Sequence, residues 1–175
     1  SKDGKNWELH SEIASEHPKQ FTEETELYWL RNGELWCVVR SSNSALFYQS
    51  KPPYTEWSGT DLGVRCDAPV ICSTRDKVYL AGRVEGPGEI PGVLGAGTTG
   101  IYELTSGKTE LLLTFPPGAD AAYVGLVSPS PGKLVLSTYS DHAYYSDSIK
   151  PKYFPEYVYK KSECDIYIAE IELRD

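Results

Sequence analysis

Leu27-Tyr-Trp-Leu30, Arg31-Asn-Gly-Glu34, Leu35-Trp-Cys-Val-Val39, Arg40 reads as an apolar strand, a tight polar turn, a second apolar strand and a charged residue at its exit. Asn-Gly is the strongest short hairpin signal, because a two-residue turn matched to strand twist needs positive φ and these residues tolerate it. The plan recurs twice. Pro69-Val-Ile-Cys72 turns over residues 73–77 and returns as Val78-Tyr-Leu-Ala-Gly82 before Arg83. Gly125-Leu-Val127 turns around Pro131-Gly132-Lys133 and returns as Leu134-Val-Leu-Ser-Thr138 before Tyr139. More strand-like sequence follows each hairpin: residues 45–49 with 56–62, 100–104 with 109–115, and 165–173. Four strands per repeat is the content of a propeller blade. The expectation is one all-β domain over 1–175. It holds about three four-stranded antiparallel β-propeller blades, near 14–62, 63–117 and 118–175, with residues 1–13 adding an outer strand to the last.

Composition agrees with an all-β class. In 175 residues there are 13 Tyr and 4 Trp beside 12 Pro and 15 Gly, which favours short strands and tight turns over helices. A net charge of −8 argues against a phosphate-backbone partner, which calls for clustered Lys and Arg. No apolar run approaches the ~20 residues that span a bilayer, so neither nucleic acid nor membrane is an expected partner. Cys37, Cys66, Cys72 and Cys164 include no C-x-x-C pair and only three histidines are present, so no metal site is indicated. Free thiols are the plainer reading, with a Cys66–Cys72 disulfide as the alternative. A chain that opens on Ser1 and contains no Met is expected to be a piece of a longer product. Three blades cannot enclose an axis by themselves, since propellers use ~4–8. The chain is therefore read as half of a six-bladed propeller whose remaining blades come from the same product or a second copy.

The opening Ser1-Lys2-Asp3-Gly4-Lys5-Asn6-Trp7 supplies an aspartate to cap backbone N–H groups, a glycine to relieve φ and a tryptophan to plug the turn. It resembles the Asp-box of sialidase-like propellers. Ser50-Lys-Pro-Pro-Tyr-Thr-Glu-Trp57, 49 residues on, keeps the Ser and the Trp and reads as a degenerate copy. Gly118-Ala-Asp-Ala-Ala-Tyr-Val-Gly-Leu126, Ser137-Thr-Tyr-Ser-Asp-His142 and Asp165-Ile-Tyr-Ile-Ala169 look like the closing blade of bacterial sialidases. Residues 22–40 look like the blade that carries a Glu near its start and an Arg after its second strand.

Arg40, Arg83 and Tyr139 take one equivalent place in the three repeats, at the exit of the second strand. Two guanidiniums converging there would make a bidentate fork for a carboxylate such as that of sialic acid; the plainer reading pairs them with Asp and Glu between blades. The resemblance implies more. Sialidases use a tyrosine nucleophile, because the substrate carboxylate beside the anomeric carbon repels an attacking acid, and a glutamate that takes the phenol's proton. Those roles fall on Tyr123 and Glu24, although a packing tyrosine is the plainer reading of Tyr123 alone. Asp120, Asp141 and His142 flank the same face as candidate ligands of sugar hydroxyls, with Asp67 beside Arg65 of similar standing.

The family's third arginine and its aspartate acid/base belong to early blades that this sequence does not contain. The expected function is therefore part of a sialidase-like glycoside hydrolase, acting on sialic acid or another polar or acidic sugar and incomplete alone. A noncatalytic glycan-binding propeller and a structural or protein-interaction propeller are the alternatives. The expected partners are a carbohydrate and the remaining blades, no cofactor is implied, and the resemblance favours a secreted or periplasmic setting.

Overall fold

The computed structural model describes residues 1–14, 21–85, 97–116, 121–142 and 164–174. Among them no α-helix occurs, and the strands form three antiparallel sheets. Sheet I runs in chain order through β1 (Thr22–Trp29), β2 (Leu35–Ser41), β3 (Leu46–Ser50) and β4 (Ser58–Asp61). Sheet II repeats that order with β5 (Asp67–Thr74), β6 (Lys77–Val84), β7 (Thr98–Thr105) and β8 (Lys108–Thr114). Sheet III holds β9 (Ala121–Ser130), β10 (Lys133–Ser140) and β11 (Asp165–Glu172). The hairpins expected from the repeat are β1–β2, β5–β6 and β9–β10. The first closes through Leu30 N donating to Glu34 O at 2.8 Å and Glu34 N donating to Asn32 Oδ1 at 2.9 Å. Gly33 takes φ +85° there, the conformation for which Asn-Gly is selected.

Period-two alternation then decides which face meets which. Trp36 and Val38 of β2 and Phe47 of β3 face sheet II, where they bury against Ile71, Leu80 and Leu104. The alternate residues of sheet II, Tyr79, Ala81 and Ile101, bury against Val124, Leu126, Leu134 and Leu136 of sheet III. Sheet II is apolar on both faces because it is covered on both. The three sheets thus stack in chain order, and their closest approach is through the first strands, β1 to β5 and β5 to β9.

Polar side chains stitch those first strands together. From β1, Glu24 accepts from Ala68 N at 2.7 Å and Tyr28 Oη lies 2.6 Å from Ser73 Oγ. Between them Glu26 reaches the backbone of Ile71, and burial pushes its carboxyl above the ordinary range against that hydrogen bond. From β5, Thr74 Oγ1 donates to Ser130 O and accepts from Gly132 N at 2.9 Å.

The two outer faces of the stack differ. On sheet I, Cys37, Val39, Leu46 and Tyr48 are covered by Ile13, Ala14 and Trp57, and Trp57 Nε1 donates to Ser11 Oγ at 3.1 Å. On sheet III, Tyr123, Val127, Ile166 and Ile168 stand open, the last two at 80% and 74% exposure. Residues 7–13, expected as an outer strand completing sheet III, form no strand, and β11 has no strand beyond it among the described residues. The reason is packing: the end of that segment buries Ile13 on sheet I, on the opposite side of the stack. The turn at residues 1–6 does form as its sequence directs. Asp3 Oδ1 accepts from Lys5 N and Asn6 N at 2.9 Å each, Ser1 Oγ accepts from Gly4 N, and Gly4 takes φ +71°. Trp7 does not plug it. That ring is 79% exposed, whereas Trp57 of the degenerate copy lies between β3 and β4 and packs inward.

Candidate functional site

Each hairpin breaks register at the same place. β1 bulges between Glu23 and Thr25, β5 between Asp67 and Val70, and β9 across the pairs Ser137–Gly125 and Tyr139–Ala122. Immediately outside the three bulges, Glu23 pairs Arg40, Asp67 pairs Arg83 and Ala122 pairs Tyr139. The equivalence inferred from the repeat is therefore a fact of register. A bulge adds twist and re-aims the side chains beside it, which is why bulges concentrate near functional sites. Here the bulged segments carry Glu24, Ala68 and Tyr123. Ala68 and Tyr123 both hold positive φ, +48° and +49°, a strained setting for a residue with a Cβ.

The arginines at these positions reach across to the next sheet. Arg40 Nε lies 3.2 Å from Asp67 Oδ1, while its Nη1 lies 3.0 Å from Glu24 Oε2 and 3.2 Å from Glu23 Oε2. Arg83 Nε donates to Ala121 O at 2.5 Å, at the start of β9. So each guanidinium clasps the first strand that follows it. Burial works against the charge on Arg40, but Asp67, Glu24 and Glu23 more than offset it and hold its pKa above the ordinary arginine value. Asp67 is the hub. It is 3% exposed, and its second oxygen takes Arg65 Nε at 2.9 Å and Nη2 at 2.5 Å. The carboxylate fork expected of Arg40 and Arg83 is thus engaged by the protein itself, Arg40 with acids and Arg83 with a backbone carbonyl.

Glu24 and Tyr123 are not brought together. Glu24 belongs to the Arg40 and Ala68 contacts of sheets I and II. Tyr123 lies on sheet III, 68% exposed, with its ring stacked on Tyr139 at a centroid distance of 6.2 Å. His142 sits at the end of β10, its Nδ1 3.1 Å from Ser140 Oγ and its ring 4.7 Å from that of Tyr167. Asp141 beside it is buried. Asp120 lies outside the described residues. Asp67 stands out little in the sequence: the arginine two residues before it is visible there, but its burial is not.

Between the exit of β2 and the start of β5 opens a cavity of about 480 Å³. Its described wall combines Glu23, Asp67 and Glu85 with Arg40 and Arg65, the hydroxyl of Ser42, the amide of Asn43 and the ring of Phe21. Phe21 is tied to the β2–β3 turn, because its N–H donates to Ser42 Oγ at 3.0 Å. A larger cavity of about 700 Å³ lies elsewhere, under the loop of the degenerate Asp-box copy between β3 and β4. All four cysteines are free, and burial pushes Cys37 up to about 12 and Cys66 higher still, so neither is a nucleophile near neutral pH.

No protein-family model matches the chain, and neither does any curated protein. A solved structure does: the crystal structure of a protein of unknown function from Dyadobacter fermentans DSM 18053 matches with a TM-score of 0.62 at 14% identity, over 89% of this chain and 39% of that one. At that identity the likeness is one of fold. The chain spans well under half the length of the structure it matches.

Proposed function

We propose that the chain forms three blades of a larger β-propeller of sialidase-like type, and that the bulged ends of its first strands contribute to a carbohydrate-binding pocket. The observation that carries this reading is the threefold register: Glu23–Arg40, Asp67–Arg83 and Ala122–Tyr139 beside equivalent bulges, on first strands that lie next to one another. Further support comes from the open face of sheet III and from a matching structure of which these residues cover only 39%. Binding is the better-supported activity, because Glu24 is held by Arg40 and Ala68 N and makes no hydrogen bond to Tyr123 among the described residues. In ligand-observed NMR with a glycan mixture, the chain gives saturation transfer to sugar ring protons, and Tyr139→Ala weakens it. An absence of transfer to every glycan sinks the reading.

One observation favours the hydrolase instead. Tyr123 is exposed and strained at φ +49° on the same end of the stack, and strained residues concentrate at reacting centres. On that reading the chain joined to its neighbouring blades cleaves a fluorogenic sialoside, and Tyr123→Phe abolishes turnover while sparing binding. Unchanged turnover in that variant removes Tyr123 as the nucleophile.

A further inference from the structure

We infer that the cavity between the β2 exit and β5 takes an uncharged, hydroxyl-rich sugar and discriminates against sugars that carry a carboxylate. The inference rests on the carbohydrate-pocket reading and fixes its ligand class. It starts from charge. The described wall bears three carboxylates, Glu23, Asp67 and Glu85, against two guanidiniums, and Glu24 adds a fourth acid just behind Arg40. Both guanidiniums are already charge-paired: Arg40 holds Glu23, Glu24 and Asp67, and Arg65 is forked onto Asp67. An incoming carboxylate would have to compete with those contacts while meeting a surplus of like charge, and like charges brought together at an interface are strongly unfavourable.

Uncharged hydroxyls suit the same wall. A hydroxyl both donates and accepts, so it can give its proton to Glu23 or Glu85 in a charge-assisted bond and accept from a guanidinium N–H. Among the described residues Arg40 Nη2 and Arg65 Nη1 make no hydrogen bond, so donors remain after the clasp is satisfied. Asn43 supplies one more donor and acceptor, and the exposed Phe21 ring offers an apolar face for the C–H side of a sugar ring. The discrimination comes from carboxylates that also hold sheets I and II together, so it is built into the fold.

Matched probes isolate the carboxylate. Methyl galactoside against methyl galacturonide and methyl glucoside against methyl glucuronide differ only at C6, with N-acetylneuraminic acid as a third acid probe. Ligand-observed NMR titration of the full chain is expected to show the neutral member of a pair binding about tenfold or more tightly than its acid. Phe21→Ala weakens the neutral sugar. Glu23→Gln, on the exposed rim, narrows the gap between the two members about two- to fivefold. Thermal melts that stay cooperative show that both variants fold. Equal or tighter binding of the acids, lost in Arg40→Gln, overturns this inference and leaves the carbohydrate-pocket reading standing. Neutral binding that survives both Phe21→Ala and Asn43→Ala puts the sugar elsewhere and overturns it too, whereas no binding of any probe overturns both readings.

Discussion

At the scale of single residues, charge is placed where the backbone can use it. Asp3 is the simplest case: two backbone N–H groups and the Asn6 amide donate to its carboxylate, and they hold its pKa down at about 2 although it is fully exposed. A carboxyl depressed in the folded state supports its turn above the unfolded value of 3.8 and loses that support as pH falls through about 2. The amide signals of Lys5 and Asn6 are therefore expected to shift together between pH 4 and 1.5, while those of the Asn32-Gly33 turn stay put. A midpoint near the ordinary aspartate value would show that the turn is not formed in solution. Glu26 carries the opposite sign. Its raised pKa means that the ionised form is disfavoured in the fold, so its cost is absent below about 4.5 and is fully present above the folded value. Glu26→Gln should raise the melting temperature at pH 7 and leave it unchanged at pH 4, with Glu8→Gln, an exposed residue, as the control for simple loss of charge. A gain of equal size at both pH values would refute burial as the cause.

Between elements, the decisive contact is the clasp of sheet I onto sheet II. Asp67 is buried and holds two guanidiniums, so Asp67→Asn leaves Arg40 and Arg65 with a weaker acceptor and should cost about 1–3 kcal/mol. Glu23→Gln touches the same arginine from the exposed rim and should cost under about 1 kcal/mol. Urea midpoints at constant slope measure both, and similar costs for the two would show that burial does not distinguish them. This clasp also marks how far the sequence could be read. The three hairpins and the equivalence of Arg40, Arg83 and Tyr139 follow from period two and from turn chemistry, both of which are local, although the first strands run longer than the expected 27–30, 69–72 and 125–127. What the arginines touch depends on the sheet that stacks next, and their partners, Asp67 and Ala121 O, lie 27 and 38 residues away in the chain. Only one of those partners is a side chain, so no residue pattern could announce the other. The bulges were hidden for the same reason, since Glu24 and Tyr123 bear no turn residue and owe their positions to a register fixed from both ends of each hairpin. The outer strand expected over 7–13 rests on the resemblance of residues 1–7 to an Asp-box, which fixes the turn but not what the chain does after it, and Ile13 instead covers a surface on sheet I.

For the molecule as a whole, the stack is finished on one side and open on the other. Ile13, Ala14 and Trp57 cover much of the outer face of sheet I, though Leu27 and Trp29 beside them remain exposed. Sheet III has Tyr123, Val127, Ile166 and Ile168 exposed together on one face, and β11 has no strand paired beyond it among the described residues. An apolar face next to an open strand edge invites both stacking and edge pairing, the two routes by which β proteins associate. In a propeller each blade face is covered by its neighbour, so the same surface that would close a ring makes an isolated three-sheet chain sticky. The chain is therefore expected to self-associate with rising concentration in sedimentation velocity. Ile166→Lys with Ile168→Lys should return it to a single species without loss of its melting transition, because both side chains are already in water and leave the sheet II contact untouched. Lysine is the better choice here, since it lowers the net charge of −8 towards zero and so any gain in solubility cannot come from added repulsion. If the double variant still associates, the contact runs through sheet I, and Trp29→Lys becomes the change that separates the copies. A chain that stays monomeric at millimolar concentration would mean that these faces are covered by nothing, and the blade reading would fail with them.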